Sequence, residues 1–288
     1  LGSGVGSYIL ERLSVDYGRK TKLVNQSFYN SEVDYYNEKM VYNEALSTHY
    51  LLEHADMVVS YDEAQLLTSA NNYDIFAYQN SKPGQVLMGK ILADFTSGTR
   101  FSSLGNWTIS RMYNHMVPYP RIHFLNASYS RSDDDKEALL MLFPEGKNLS
   151  GIDNRRGKYL ASTCFVRGQF NERQLRDLIN KKSHLRTTQT VDYVPSNIFT
   201  VAQCPVSSVD GNWEGLMINN NTSVSNMENI ATQFDKYFTN KTSVDLYVSE
   251  GMEEGEFREA REDLAALLKD FEEVGIETNT CGDDDEDY

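Results

Sequence analysis

Cysteine is scarce in this chain: Cys164, Cys204 and Cys281 are the only three in 288 residues. Their number is odd and their spacing wide, so neither a disulfide framework nor a cysteine metal site can be assembled from them. A reducing cytosol is the simple reading. No run approaches the ~18 uninterrupted apolar residues of a membrane span. No charged leader with an apolar stretch and a cleavage site opens the sequence, so no secretory signal is visible. The Asn-x-Ser/Thr triplets, such as Asn106-Trp107-Thr108 and Asn126-Ala127-Ser128, therefore read as chance in an Asn-rich chain rather than as glycan acceptors. Basic residues are in deficit, with 27 Lys and Arg against 42 Asp and Glu and a net charge of −15. This balance repels nucleic acid, and neither a nucleic-acid nor a membrane partner is expected. The five histidines, His49, His54, His115, His123 and His184, have no ligand spacing, and no Ser/His/Asp arrangement can be argued. No protein-encoded hydrolase and no metal site of the chain's own are expected.

Apolar residues make up 40% of the chain, enough for a real core and against global disorder. The negative charge is concentrated at the end. From Glu250 onward there are sixteen acids and three bases, a local balance of −13, which leaves the rest nearly neutral. Such an end attracts basic partners through a force that salt screens; it reads equally as a solvating tail that aids solubility. The chain begins at Leu1, without Met, inside a Gly-rich run, and is expected to be a fragment, a processed chain or an incomplete gene product.

Strands and helices alternate along the first hundred residues. Helices are expected at 8–15, 43–53, 62–70 and 84–96, the last with Pro83 at its start, and strands at 22–28 and 57–59. This pattern implies a layered α/β unit. The helix at 84–96 is expected to expose its apolar side, because few strands remain to cover it. A second, smaller sandwich is expected from 101 to 240. It has a short helix ended by Pro118, strands at 121–127, 158–168, 198–203 and 215–219, and helices at 171–180 and 223–238. The clearest helix lies near the end. Phe257, Ala260, Leu264, Leu267, Leu268, Phe271 and Val274 recur at spacings of three and four, opposite a charged face. Gly275 stands where a C-cap would close it. A helical region over 241–280 and a disordered acidic tail over 281–288 complete the division, after a first unit at 1–100.

Gly2-Ser3-Gly4 before a helix is the one phosphate-cradle candidate. Glycines let backbone N–H groups approach a phosphate, and a helix N-terminus favours its charge. Alone the signal is weak. A Gly/Ser cloning remnant has the same look, and neither the dinucleotide spacing nor a Walker lysine is present.

Four segments carry a family resemblance. They are Glu11-Arg12-Leu13-Ser14-Val15-Asp16-Tyr17-Gly18, Val117-Pro118-Tyr119-Pro120-Arg121-Ile122-His123-Phe124, and Gly157-Lys158-Tyr159-Leu160-Ala161 with Arg167-Gly168. The fourth is Glu250-Gly251-Met252-Glu253-Glu254-Gly255-Glu256-Phe257 with Glu259-Ala260-Arg261-Glu262-Asp263. In order, and with the acidic end closing on Tyr288, these runs resemble α-tubulin of the tubulin/FtsZ superfamily.

The resemblance implies an incomplete doubly wound GTP-binding domain, then a two-layer α/β sandwich and C-terminal helices. It implies a cytoskeletal role as a GTP-binding microtubule subunit in the cytoplasm, with a β-tubulin-type partner and with basic microtubule-associated proteins and motors at the acidic tail. A tubulin-like interaction protein that no longer polymerises is the alternative. By the resemblance, Gly2, Ser3 and Gly4 are the remnant phosphate loop. Asn72 aligns with a guanine-contacting asparagine, though a helix-ending Asn is the plain reading. Tyr78 stands near the base-stacking tyrosine, and Gln85 replaces a second guanine-contacting asparagine. The ribose-contacting acid is expected near Glu38, but strict alignment puts Met40 there. Mg²⁺ contacts would belong to strands and loops that precede this sequence in the family. GTP binding by the chain as given is therefore expected to be weak or absent, and the chain is not expected to be an active GTPase by itself. Arg111 replaces a glutamate that reaches the next subunit's nucleotide; a surface arginine with no such role is the alternative. Thr200 replaces a basic residue, and Tyr288 is the expected site of tyrosine removal and re-addition.

Overall fold

The computed structural model describes residues 2–18, 20–29, 37–73, 82–101, 107–132, 141–143, 148–168, 173, 177–178, 181, 188–193, 198–204, 206 and 213–276. The helix expected at 171–180 lies largely outside them, and Tyr78, His184, Cys281 and the acidic tail wholly so.

The first half runs α1 (Ser3–Tyr17), β1 (Val24–Tyr29), α2 (Glu38–His54), β2 (Met57–Asp62), α3 (Glu63–Asn72), α4 (Pro83–Phe95), α5 (Ser97–Arg100) and α6 (Ile109–Met116). The second half runs β3 (Phe124–Ser132), β4 (Tyr159–Arg167), β5 (Phe199–Cys204), β6 (Trp213–Asn221), α7 (Ser225–Thr239), α8 (Val244–Ser249) and α9 (Glu254–Gly275). Local chemistry sets several starts. The Asn37 side chain accepts from Lys39 N–H at 3.0 Å and Asp62 from Ala64 N–H at 3.2 Å, capping α2 and α3. Pro83 opens α4 at a position whose N–H needs no partner.

The six strands form one sheet in the order β1-β2-β3-β6-β4-β5. β1, β2 and β3 are parallel, β6 runs antiparallel to both β3 and β4, and β5 is parallel to β4. The sheet continues across the expected boundary at residue 100. β2 meets β3 through Val58↔Phe124, Val59↔Leu125 and Ser60↔Asn126. Period-two alternation then divides the apolar side chains between two faces. Val58, Phe124 and Leu160 join α2, α7 and α9 on one side. Met57, Val59, Leu125 and Phe165 join α3, α4 and α6 on the other. The mixed α/β class read from the alternation holds.

Two expectations need correction. α4 does not expose its apolar side: Leu87 and Ile91 are fully buried and Phe95 nearly so, because the continuous sheet covers them. Exposed apolar side chains gather instead on α1, where Val5, Tyr8, Ile9, Leu13, Val15 and Tyr17 face outward and Leu10 alone is buried. Gly275 is the last residue of α9 and not a left-handed cap; the cap is Ile276, in extended backbone. The apolar stripe of α9 packs as expected, with Phe257, Ala260, Leu264, Leu267 and Phe271 buried. Asn126 is buried in β3, so its Asn-x-Ser triplet offers nothing to a glycosylating enzyme.

Candidate functional site

A cleft of about 640 Å³ opens at the start of α1. Gly2, Ser3, Gly6 and Ser7 form one wall, and Asn25 to Tyr29 of β1 form the floor. Met40, Asn43, Glu44, Ser47 and Leu51 of α2 and Glu63, Ala64 and Leu67 of α3 close the other sides. Its volume falls within the roughly 300–1,000 Å³ range of small-molecule sites.

Gly2 caps α1 with φ 89°, in the left-handed region that glycine adopts freely. Gly2 and Ser3 both line the cleft. Gly4 is exposed on α1 and does not line the cleft.

The two purine-side residues that are described stand elsewhere. Asn72 is the last residue of α3 and exposed, while the cleft touches the first turns of that helix. At 1.5 Å per residue, the length of α3 puts it roughly 13 Å from Glu63. Gln85 uses its Oε1 to accept from Lys82 N–H at 3.2 Å, capping α4. Glu38 also looks away. Its carboxylate accepts from Ser243 Oγ at 2.8 Å, and hydrogen bonds from its own backbone and from Ser243 hold its pKa below the usual range. Met40 lines the cleft, so the position that strict alignment gave for the ribose acid is the one that faces in.

Sequence reasoning missed Glu44 and Glu63. Glu44 lies one turn after Met40 on α2, at the i,i+4 spacing that puts two residues on one face. It adjoins Tyr29, whose hydroxyl is pushed well up by burial above all and also by this carboxylate. Glu63 lies one residue past the cap Asp62. The periodicity of α2 holds the signal for Glu44, since the buried Val41, Tyr42, Ala45 and Thr48 leave Met40, Asn43, Glu44 and Ser47 on the remaining arc.

Guanosine triphosphate fits the described lining poorly. The described lining residues include two carboxylates and no Lys, Arg or His. The N-terminus of α1 offers only about half a positive charge. Among the described residues, no group of three or more His, Cys, Asp or Glu could hold a metal ion.

Arg111 sits on α6, exposed, with its guanidinium 5.2 Å from the Trp107 ring centroid. One turn on, His115 Nε2 lies 3.1 Å from Thr200 Oγ1, and Thr200 also meets Thr163 Oγ1 at 3.2 Å. Burial lowers the His115 pKa most, hydrogen bonds from the imidazole to the Ser162 and Ile198 backbone oppose it, and Arg111 lowers it further. The structure thus gathers Arg111, His115 and Thr200 at one junction between α6 and β5. No helix among the described residues is long and apolar enough to cross a membrane.

A six-stranded sheet between helical layers, with a cleft at a glycine-opened helix, defines a mixed α/β protein. Residues 120–231 match the family model described as the tubulin C-terminal domain. The chain is 37% identical to the tubulin alpha-2 chain of Eleusine indica over 310 residues, which covers all of this chain and 68% of that protein. The chain belongs to the α-tubulin family.

Proposed function

We propose that the chain acts as an α-tubulin-type structural subunit of the microtubule cytoskeleton in the cytoplasm, paired with a β-tubulin-type subunit. Its acidic end, with a −13 balance from Glu250 onward, meets basic microtubule-associated proteins and motors. Tyr288 follows Glu286-Asp287 and is the residue a tubulin carboxypeptidase would release. Guanine nucleotide is held weakly or not at all by the chain's own cleft, with Gly2 and Ser3 the residues nearest an incoming phosphate.

The single observation that carries the reading is Arg111, exposed near the start of α6. On this reading Arg111 replaces a carboxylate that faces the next subunit's nucleotide. A carboxylate can accept a proton from an attacking water, and a guanidinium cannot. A filament containing this chain therefore holds its partner's nucleotide unhydrolysed longer. The test compares the chain with Arg111→Glu, co-assembled with the same β-type subunit, by phosphate release per subunit. The variant is expected to release phosphate about 10²-fold faster. Equal rates would show that Arg111 does not face the nucleotide.

A further inference from the structure

One long stretch of this acidic chain has no acid. Between Asp94 and Asp133 the sequence holds neither Asp nor Glu, the longest such run it contains, yet it carries Arg100, Arg111, Arg121 and Arg131. The fold engages three of these arginines locally. Arg100 Nη2 donates to Ala93 O at 2.6 Å, Arg121 Nε meets Asp270 Oδ2 at 2.6 Å, and Arg131 Nη1 donates to Tyr73 O at 3.4 Å. Arg111 is held differently. It is exposed, and its guanidinium lies over the ring of Trp107, which is itself only 6% exposed. Their separation of 5.2 Å is within the ~6 Å reach of a cation–π contact. Trp107 is fixed in turn. Thr99 Oγ1 donates to its carbonyl at 3.1 Å, and its ring meets His115 edge to face with centroids 6.3 Å apart. A planar guanidinium laid on a buried ring is pre-organised, so it loses less freedom when it binds. Through His115 the same surface reaches Thr200 on β5, at one edge of the sheet. The charge that acts on His115 is again a cation, Arg111.

We propose that Trp107, Arg111 and the His115–Thr200 pair form an anion-docking surface for a polyphosphate group carried by a partner protein, with Arg111 as its charge and Trp107 as the residue that positions it. The proposal rests on the reading that Arg111 faces the next subunit's nucleotide, and it names the chemistry of that contact and the residue that holds it. A guanidinium fork takes two phosphate oxygens at once. A lone carboxylate on an exposed arginine gains little, because water screens the pair and two side chains must be ordered. A polyphosphate brings several charges to a guanidinium that the Trp107 ring already steadies. Thr200 adds a hydroxyl that can donate, and no carboxylate of α5 or α6 opposes the anion.

The test is calorimetric titration of the unassembled 288-residue chain with tripolyphosphate in low-salt buffer, with a polyglutamate peptide as the second probe. Saturable tripolyphosphate binding is expected, and Arg111→Gln should weaken it about tenfold. Trp107→Leu removes the ring and should weaken it about threefold. Trp107→Phe also shrinks the side chain but keeps a ring, and should bring the affinity back to within about twofold of the parent. Equal losses in the Leu and Phe variants would make Trp107 structural only and overturn its positioning role. Binding should also raise the His115 pKa, read by NMR, because the anion offsets the charge of Arg111. No tripolyphosphate binding, or binding that Arg111→Gln leaves unchanged, overturns the proposal. Peptide binding as tight as that of tripolyphosphate overturns it in favour of a carboxylate-bearing partner. The filament comparison of Arg111→Glu fails separately: equal phosphate release there, with Arg111-dependent binding here, removes the nucleotide-facing reading and leaves the docking surface.

Discussion

Asp94 and Glu214 are two acids in the core that the sequence did not single out. Arg167 Nη1 lies 3.3 Å from Asp94 Oδ1, and Lys90 Nζ lies 2.9 Å from Glu214 Oε1, so two ion pairs fasten α4 to β4 and β6. Burial first, and the Glu214 carboxylate next, push the Asp94 pKa up to about 7, against the pull of Arg167 and Lys90. Because the folded value lies above the unfolded one, the native state keeps a proton that the unfolded chain has released. Its stabilising effect is complete below about pH 4 and is lost as pH rises toward 7. Urea midpoints of the chain should fall between pH 5 and 7, by at most about 1.4 kcal/mol per pH unit from this group. Asp94→Asn should flatten that decline; a wild-type curve already flat would show that Asp94 does not titrate there. Lys90→Met should cost about 3–5 kcal/mol in the same assay, since it leaves the Glu214 carboxylate buried without its cation. None of these pairings was legible beforehand. Residues 94, 167 and 214 are far apart in sequence, and only the sheet register and the α4 packing bring them together.

Helices with a strong apolar period were legible to within a few residues, and their energetics follow from burial. In α9, Leu264→Ala removes a side chain that is 2% exposed and should cost about 2–5 kcal/mol in denaturant unfolding. In α1 the same reasoning reverses. Ile9→Glu alters a residue that is 51% exposed and should stay within about 0.5 kcal/mol. A cost of several kcal/mol there would mean that the face of α1 is covered in solution. Gly2 and Ser3 line the cleft, and glycine before a helix is a local signal that needs no knowledge of the packing. Asn72 and Gln85 do not line the described cleft; motif alignment places residues along a helix without saying which end faces a cleft. At α6, Arg111→Glu should raise the His115 pKa, which Arg111 now depresses. Titration of the imidazole by NMR checks this in the unassembled chain; an unchanged value would remove Arg111 from the α6–β5 junction.

At the scale of the whole molecule, the α/β class and the acidic end were plain from composition and alternation, and the family from four ordered runs of residues. The continuity of the sheet was not. Nothing in the residues around 101 announces that β2 and β3 pair, and the two cores on opposite faces of one sheet follow from that pairing. The functional claim at this scale is that the chain is an α-type partner for a β-type subunit. Sedimentation velocity of the chain mixed with a purified β-tubulin-type subunit tests it most directly. The account predicts a one-to-one heterodimer boundary that neither protein gives alone. Two unchanged boundaries, at concentrations where an authentic α-subunit pairs with the same β-subunit, would contradict it.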